Sequence, residues 1–144
     1  MLSTNELLKL ACQVWSEFLG ITALPDATGT VLNGEVMTGV ARFEAGGGVA
    51  LTLSKSYAFE LAAKVFMVPP DEVMPQETED LVGDLATIFA NSTSAHVHSN
   101  VRPGEAQVLA SSPSDSSLCD GSLGLVSVVL DSQGKPVLIR LFRG

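Results

Sequence analysis

Apolar residues that recur at helical spacing predict three helices. The first opens with a capping box at Ser3 and closes before Gly20. The second ends at the helix-breaking pair Pro69-Pro70, and Pro75 suits the first turn of the third. The predicted second and third helices span about residues 55–67 and 75–95.

Runs of strand-forming residues predict five strands in two groups. A hairpin with its turn at Gly46-Gly47-Gly48 follows a turn signal at Asn33-Gly34, and a second turn is expected at Gln133-Gly134-Lys135. The predicted strands are residues 35–43, 49–54, 106–110, 123–130 and 137–142. This order predicts one α+β domain over residues 1–144, with an antiparallel sheet and helices packed on one side of it.

The third predicted helix separates its polar and apolar side chains clearly. At 3.6 residues per turn, one polar stripe contains Asp80, Asp84, Thr87 and Asn91. The opposite, wider arc is apolar and should face the core. An acid three residues before a small hydrogen-bonding side chain can direct a water molecule at an acyl phosphate. The stripe is therefore the main candidate for a functional site; a plain solvated helix face is the alternative.

Composition and charge exclude several classes of function. The 144-residue chain is 46% hydrophobic with a mean hydropathy of +0.32, typical of a compact globule. The formal net charge is −8 and the eight basic residues are scattered singly, so nucleic-acid binding is not expected. An acidic surface favours a partner with an exposed basic residue. Since no apolar run approaches the roughly 20 residues of a membrane span, no membrane insertion is expected.

Other candidate chemistry is weak. The N-terminal segment lacks the apolar region and cleavage site of a signal peptide, so we expect a cytoplasmic protein with free thiols at Cys12 and Cys119. His96 and His98 have no further ligand at metal spacing, so no metal site is expected. The glycine run at residues 46–48 lacks the Lys-Ser/Thr of a phosphate loop.

The order of helix, two strands, helix, long helix and three strands resembles the CheX-like phosphatases of the CheC/CheX/FliY group. The Gly-rich hairpin before Leu51-Thr52-Leu53-Ser54, the Ala-rich second helix and the Ser112-Pro113 step add to the resemblance. In that family the long helix carries Asp or Ser, Glu four residues later, Asn three residues after that, and Gly four further on. The corresponding residues here are Asp80, Asp84, Thr87 and Asn91.

The resemblance implies a phosphatase for the aspartyl phosphate of a phosphorylated CheY-like response regulator. Asp84 would pair with a lysine of the regulator and Thr87 would orient the attacking water, which makes them the implied catalytic residues. Asp80 and Asn91 are the implied partner-binding residues. The Asn91 amide is also a reserve candidate for the role that Asn has in the family. No cofactor of its own is implied, because Mg²⁺ is expected in the partner receiver domain. Since the family includes dimers formed by sheet extension, a homodimer through strand 137–142 is also an expectation.

Two replacements leave the activity open between two classes. Asp84 is one methylene shorter than Glu, about 1.5 Å of reach, and Thr87 lacks the length and second donor of an amide. An acid-x-x-Thr step nevertheless resembles the phosphatase motif of many sensor histidine kinases. The alternative is a binding or adaptor module in a signalling or motility complex, which keeps the docking helix without turnover. A small-molecule-binding domain would instead show a pocket between the sheet and the helices.

Overall fold

The computed structural model describes residues 3–25, 35–44, 46–97, 107–109 and 124–142, which form helices on an antiparallel sheet. The helices are α1 (Thr4–Leu19), α2 (Lys55–Phe66) and α3 (Pro75–Val97), with a short 3-10 turn at Pro70–Glu72. The strands are β1 (Ala23–Pro25), β2 (Val36–Arg42), β3 (Gly48–Ser54), β4 (Gln107–Leu109), β5 (Gly124–Ser132) and β6 (Lys135–Phe142). The predicted three helices and five strands are confirmed. Strand β1 and the 3-10 turn are additions to them.

Capping residues explain where α1 begins and ends and where α2 begins. The Ser3 hydroxyl accepts a hydrogen bond from the Glu6 amide at 3.2 Å, and Gly20 closes α1 in the left-handed conformation with φ 68°. Ser54 caps α2 in the same way, accepting from the Tyr57 amide at 3.2 Å. The helix boundaries therefore follow from local sequence.

The strand order in the sheet is β1-β5-β6-β3-β2-β4, and every described pair is antiparallel. Strand β6 lies between β5 and β3 and is paired along both edges, from Val137 opposite Leu130 and Leu53 to Phe142 opposite Gly124 and Gly48. The expectation that strand 137–142 extends the sheet into a second copy is therefore wrong, because no free edge remains there. The edges of the described sheet are β1 and β4.

The core lies between the three helices and one face of the sheet, as predicted. Trp15 of α1 is fully buried, and its ring lies 6.3 Å from that of Phe89 in α3. Alternate residues of β2, β3, β5 and β6 point into the same core. On these strands the core residues are Met37, Ala41, Val49, Leu51, Leu53, Val128, Leu130, Val137, Ile139 and Leu141.

A buried hydrogen-bond network joins two helices to the sheet. The Trp15 indole N–H donates to the Ser132 hydroxyl at 2.8 Å, and the Tyr57 hydroxyl lies 2.5 Å from the same Ser132 oxygen. All three side chains are buried. Ser132, at the end of β5, thereby satisfies polar groups of α1 and α2 that would otherwise be buried without a partner.

Some predictions fall on residues that the structure does not describe. The turn at Asn33-Gly34, the Ser112-Pro113 step, His98 and Cys119 all lie outside the described residues. None of the helices in the described part of the chain is both long and apolar enough to cross a membrane.

Candidate functional site

Helix α3 begins at a reciprocal cap. The Met74 carbonyl oxygen accepts from the Thr78 amide at 3.2 Å, and the Met74 amide donates to the Glu77 carboxylate at 2.9 Å. Pro75 takes the first helical position, where its missing N–H costs nothing. The acids of the first two turns are also favourably placed against the positive end of the helix dipole. These contacts set the register of every side chain that follows.

One side of α3 is buried. The helix packs on β2 and β3 and against α1 and α2, and its apolar arc is almost inaccessible to solvent. The wholly or almost wholly buried side chains include Leu81, Val82, Leu85, Ala86, Phe89 and Ala90. Ile88, predicted for the core arc, is only partly buried and lies at its margin. A narrow strip of the helix is left to face solvent.

The predicted polar stripe occupies that strip. Asp80, Asp84 and Asn91 are exposed, and Thr87 is half-buried between them. Because residues three and four apart are neighbours on a helix, the four side chains form one row. The structure therefore brings the four sequence-predicted site residues together on one accessible face.

Hydrogen bonds distinguish the members of this row. The Gln76 amide donates to the Asp80 carboxylate at 2.9 Å, and the Thr87 hydroxyl donates to the Gly83 carbonyl oxygen at 3.0 Å. The side chains of Asp84 and Asn91 make no hydrogen bond or ion pair with any described residue. Asp84 and Asn91 are therefore available to a partner without first breaking an internal contact.

Sequence reasoning did not single out Gln76 and Gly83, which hold Asp80 and Thr87. The signal was present, because both pairs are four residues apart on the helix. A Gln and an Asp four residues apart on a helix are known to form a side-chain hydrogen bond. A Thr hydroxyl in mid-helix commonly donates to the carbonyl oxygen four residues earlier.

Among the described residues, the other candidate groups are not arranged for chemistry. Cys12 is partly buried in α1, and burial raises the pKa of its thiol, so the nucleophilic thiolate is disfavoured. Among the described residues, no three His, Cys, Asp or Glu side chains are grouped as metal ligands. The stripe on α3 thus stays the best-supported candidate site.

Known proteins share this fold at low sequence identity. No protein-family model matches the sequence, and no curated protein matches it. A chain in the CheX–CheY–BeF3–Mg²⁺ complex from Borrelia burgdorferi is 17% identical over 100% of both chains, with a TM-score of 0.67. CheX from Vibrio vulnificus is 16% identical over 96% of this chain and 95% of its own, also with a TM-score of 0.67. A CheC-like superfamily protein from Shewanella sp. PV-4 is 14% identical over 97% of this chain and 96% of its own, with a TM-score of 0.61.

These matches cover nearly the whole chain, and the chain therefore has the CheC/CheX-like fold. The expectation drawn from the order of elements and the long-helix motif is confirmed at the level of the fold. At these identities the similarity shows the architecture alone, and function depends on the side chains that this chain places at its own site.

Proposed function

We propose that this chain docks on the phosphorylated receiver domain of a CheY-like response regulator and accelerates hydrolysis of its aspartyl phosphate. The supporting observation is that Asp84 and Thr87 lie in one row on an accessible face of α3. The partner class is suggested by the fold relative from Borrelia burgdorferi, whose structure is a complex of CheX with CheY, BeF3 and Mg²⁺. The reaction would take place in the cytoplasm.

Asp84 provides the docking contact in this proposal. Its carboxylate is exposed and has no partner within the described residues, so it can accept a hydrogen bond from a lysine ammonium of the receiver. Asp80, held by Gln76 one turn earlier, adds negative charge to the same face. The net charge of −8 favours the approach of a basic surface.

Thr87 orients the attacking water. Its hydroxyl proton is donated to the Gly83 carbonyl, so the oxygen is left to accept a hydrogen bond from water. A water held in this way attacks phosphorus, and the phosphorus–oxygen bond to the aspartyl carboxylate breaks with its electron pair on the carboxylate. Both protons of the water end on the phosphate, which leaves as dihydrogen phosphate. Mg²⁺ bound by the receiver supplies charge neutralisation, and the contribution of this chain is orientation.

The same hydrogen bond also favours a second function. Because the Thr87 proton is already donated within α3, the residue offers the phosphoryl group no donor in the free protein. A chain that uses Asp80 and Asp84 only to hold the receiver would act as a binding or adaptor module in a signalling or motility complex. In that case the stripe would bind without changing the lifetime of the phosphate.

Decay of the phosphoryl group tests the proposal. Phosphorylated CheY-like receivers of the same organism are mixed with wild type, Asp84→Asn or Thr87→Val, and release of inorganic phosphate is followed. Glu79→Gln is the matched control for Asp84→Asn, because Glu79 is exposed on the same helix about 140° away from Asp84. Thr87→Ser, which keeps the hydroxyl, is the control for Thr87→Val.

Wild type should accelerate decay, and Asp84→Asn and Thr87→Val should each lower kcat/KM about 10- to 100-fold. The two control variants should keep most of the activity. Unchanged decay together with wild-type binding to a BeF3-loaded receiver would establish the adaptor function. Neither acceleration nor binding with any receiver would reject both functions.

A further inference from the structure

On the face of α3 that carries Asp80, Asp84 and Thr87, few of the described side chains offer an unused hydrogen-bond donor. Asp80 and Asp84 are carboxylates, which accept hydrogen bonds but do not donate them when ionised. Three hydroxyl protons in the second half of the helix are given to its own backbone: Thr87 donates to Gly83, Thr93 to Ala90 at 3.0 Å, and Ser94 to the carbonyl of Asn91 at 2.8 Å. The Ser92 hydroxyl has no hydrogen bond to a described residue, but it lies about 140° around the helix from Thr87 and so is not on this face.

Asn91 is the exception. Its side-chain amide is exposed, has no partner among the described residues, and lies one turn beyond Thr87 on the same face. Gln76 is the other amide on this face, but one of its amide protons is donated to Asp80. Gln76 also precedes Thr87 by eleven residues, which is about 16 Å along the helix axis. Among the described residues, the free amide nearest to Thr87 along α3 is therefore that of Asn91.

Asn at position 91 is unfavourable for helix formation. Asn is a poorer helix former than Ala or the long polar residues, because its amide competes for the backbone in non-helical conformations. In α3 the Asn91 amide neither caps the helix nor bonds to a described neighbour. A residue that breaks a local rule without an internal gain is a candidate for a role outside the folded chain.

We propose that Asn91 is a third catalytic residue, whose amide N–H donates to a phosphoryl oxygen of the receiver's aspartyl phosphate. This proposal rests on the phosphatase function proposed above. Thr87 would hold the water that attacks, and Asn91 would hold the group that is attacked, so that the two reactants meet in line. Negative charge on the phosphoryl oxygens is redistributed as the bond to the carboxylate breaks, and a fixed donor stabilises that redistribution.

The test separates kcat from KM for Asn91→Ala, with Ser92→Ala as control. Ser92 is the next residue in α3, about 100° around the helix, and belongs to no part of the proposed site. Asn91→Asp is a second variant, which keeps the shape but removes both donors. Initial rates of phosphate release are measured over a range of phosphorylated receiver, and circular dichroism checks the helix in each variant.

Asn91→Ala should lower kcat on the order of 100-fold, which is the lower end of what loss of one oriented donor costs elsewhere. KM should change much less, and Asn91→Asp should be at least as impaired. Because Asn91 is exposed and Ala is the better helix former, folding should be retained.

Wild-type kcat in both Asn91 variants would overturn this proposal while leaving the phosphatase function standing. A raised KM at unchanged kcat would also overturn it, since Asn91 would then serve docking only. If wild type itself does not accelerate decay, the result rejects the proposed phosphatase function and therefore also the catalytic role of Asn91.

Discussion

Gly39 of β2 lies directly beneath the backbone of Val82 in α3. A Cβ atom built on Gly39 would come within 2.6 Å of the Val82 carbonyl oxygen and 3.0 Å of its Cγ1. The first distance is shorter than real Cβ contacts allow, and a backbone atom cannot turn aside as a side chain can. The absence of a side chain at Gly39 is thus what lets the helix with the candidate site rest on the sheet.

Gly39→Ala should destabilise the protein and displace α3. Overpacking of this kind costs about 1–3 kcal/mol in the free energy of unfolding, because either the helix or the strand must move. A displacement of about 1 Å in a reaction that depends on orientation can cost roughly 100-fold in rate. Chemical denaturation measures the first effect, and the phosphate-release assay measures the second.

Gly134→Ala is the control for that experiment. Gly134 has open space around it but φ +80°, so an alanine there costs about 1 kcal/mol through backbone conformation alone. It should leave the assay unchanged, because Gly134 belongs to the β5–β6 turn. If Gly39→Ala proved as stable and as active as wild type, close packing of α3 on β2 would not be what positions the site.

Ser132→Ala should cost about 1–3 kcal/mol of stability, although it removes a single oxygen. The Trp15 indole N–H and the Tyr57 hydroxyl would both lose their buried partner. Denaturant unfolding with a constant m-value gives the free-energy change. Ser127→Ala on the same strand is the control, since Ser127 is exposed and should change stability by less than about 0.5 kcal/mol. Equal effects of the two substitutions would contradict the role of the network.

Stability should also depend on the ionisation of Tyr57. Burial raises the pKa of the Tyr57 hydroxyl above its usual value of about 10, and the hydrogen bond to Ser132 offsets part of this rise. The folded state therefore holds the phenol proton more tightly than the unfolded state. The resulting stabilisation is complete below the unfolded pKa and is lost as the pH rises from there through the higher folded pKa.

Tyr57 is the chain's single tyrosine, so tyrosinate absorbance follows this group alone. In the folded protein the absorbance should rise at a higher pH than in denaturant. Wild type should lose thermal stability above about pH 10 more steeply than Tyr57→Phe, which lacks the titrating group. Identical titration curves in the folded and denatured protein would refute the effect of burial.

Local sequence was sufficient for the three helices, for five of the six described strands and for the site's exposure, but not for β1 or the 3-10 turn. Helix α1 begins at Ser3 and stops at Gly20 because the cap and the left-handed residue act within one turn. The stripe from Asp80 to Asn91 was predictable because the helical period alone decides which side chains share a face. Even the contacts within the stripe, Gln76 to Asp80 and Thr87 to Gly83, lie at the spacing of one turn.

Only the tertiary structure decided how these elements are assembled. The place of β6 between β5 and β3 removed the expected dimer edge, and no local pattern distinguishes an inner strand of this kind from an edge strand. Ser132 meets Trp15 from 117 positions away, and Gly39 meets Val82 across the layer between sheet and helix. Such contacts depend on which distant segments pack together. That packing arises from burial summed over the whole core, whereas caps and periodicity act between residues a few positions apart.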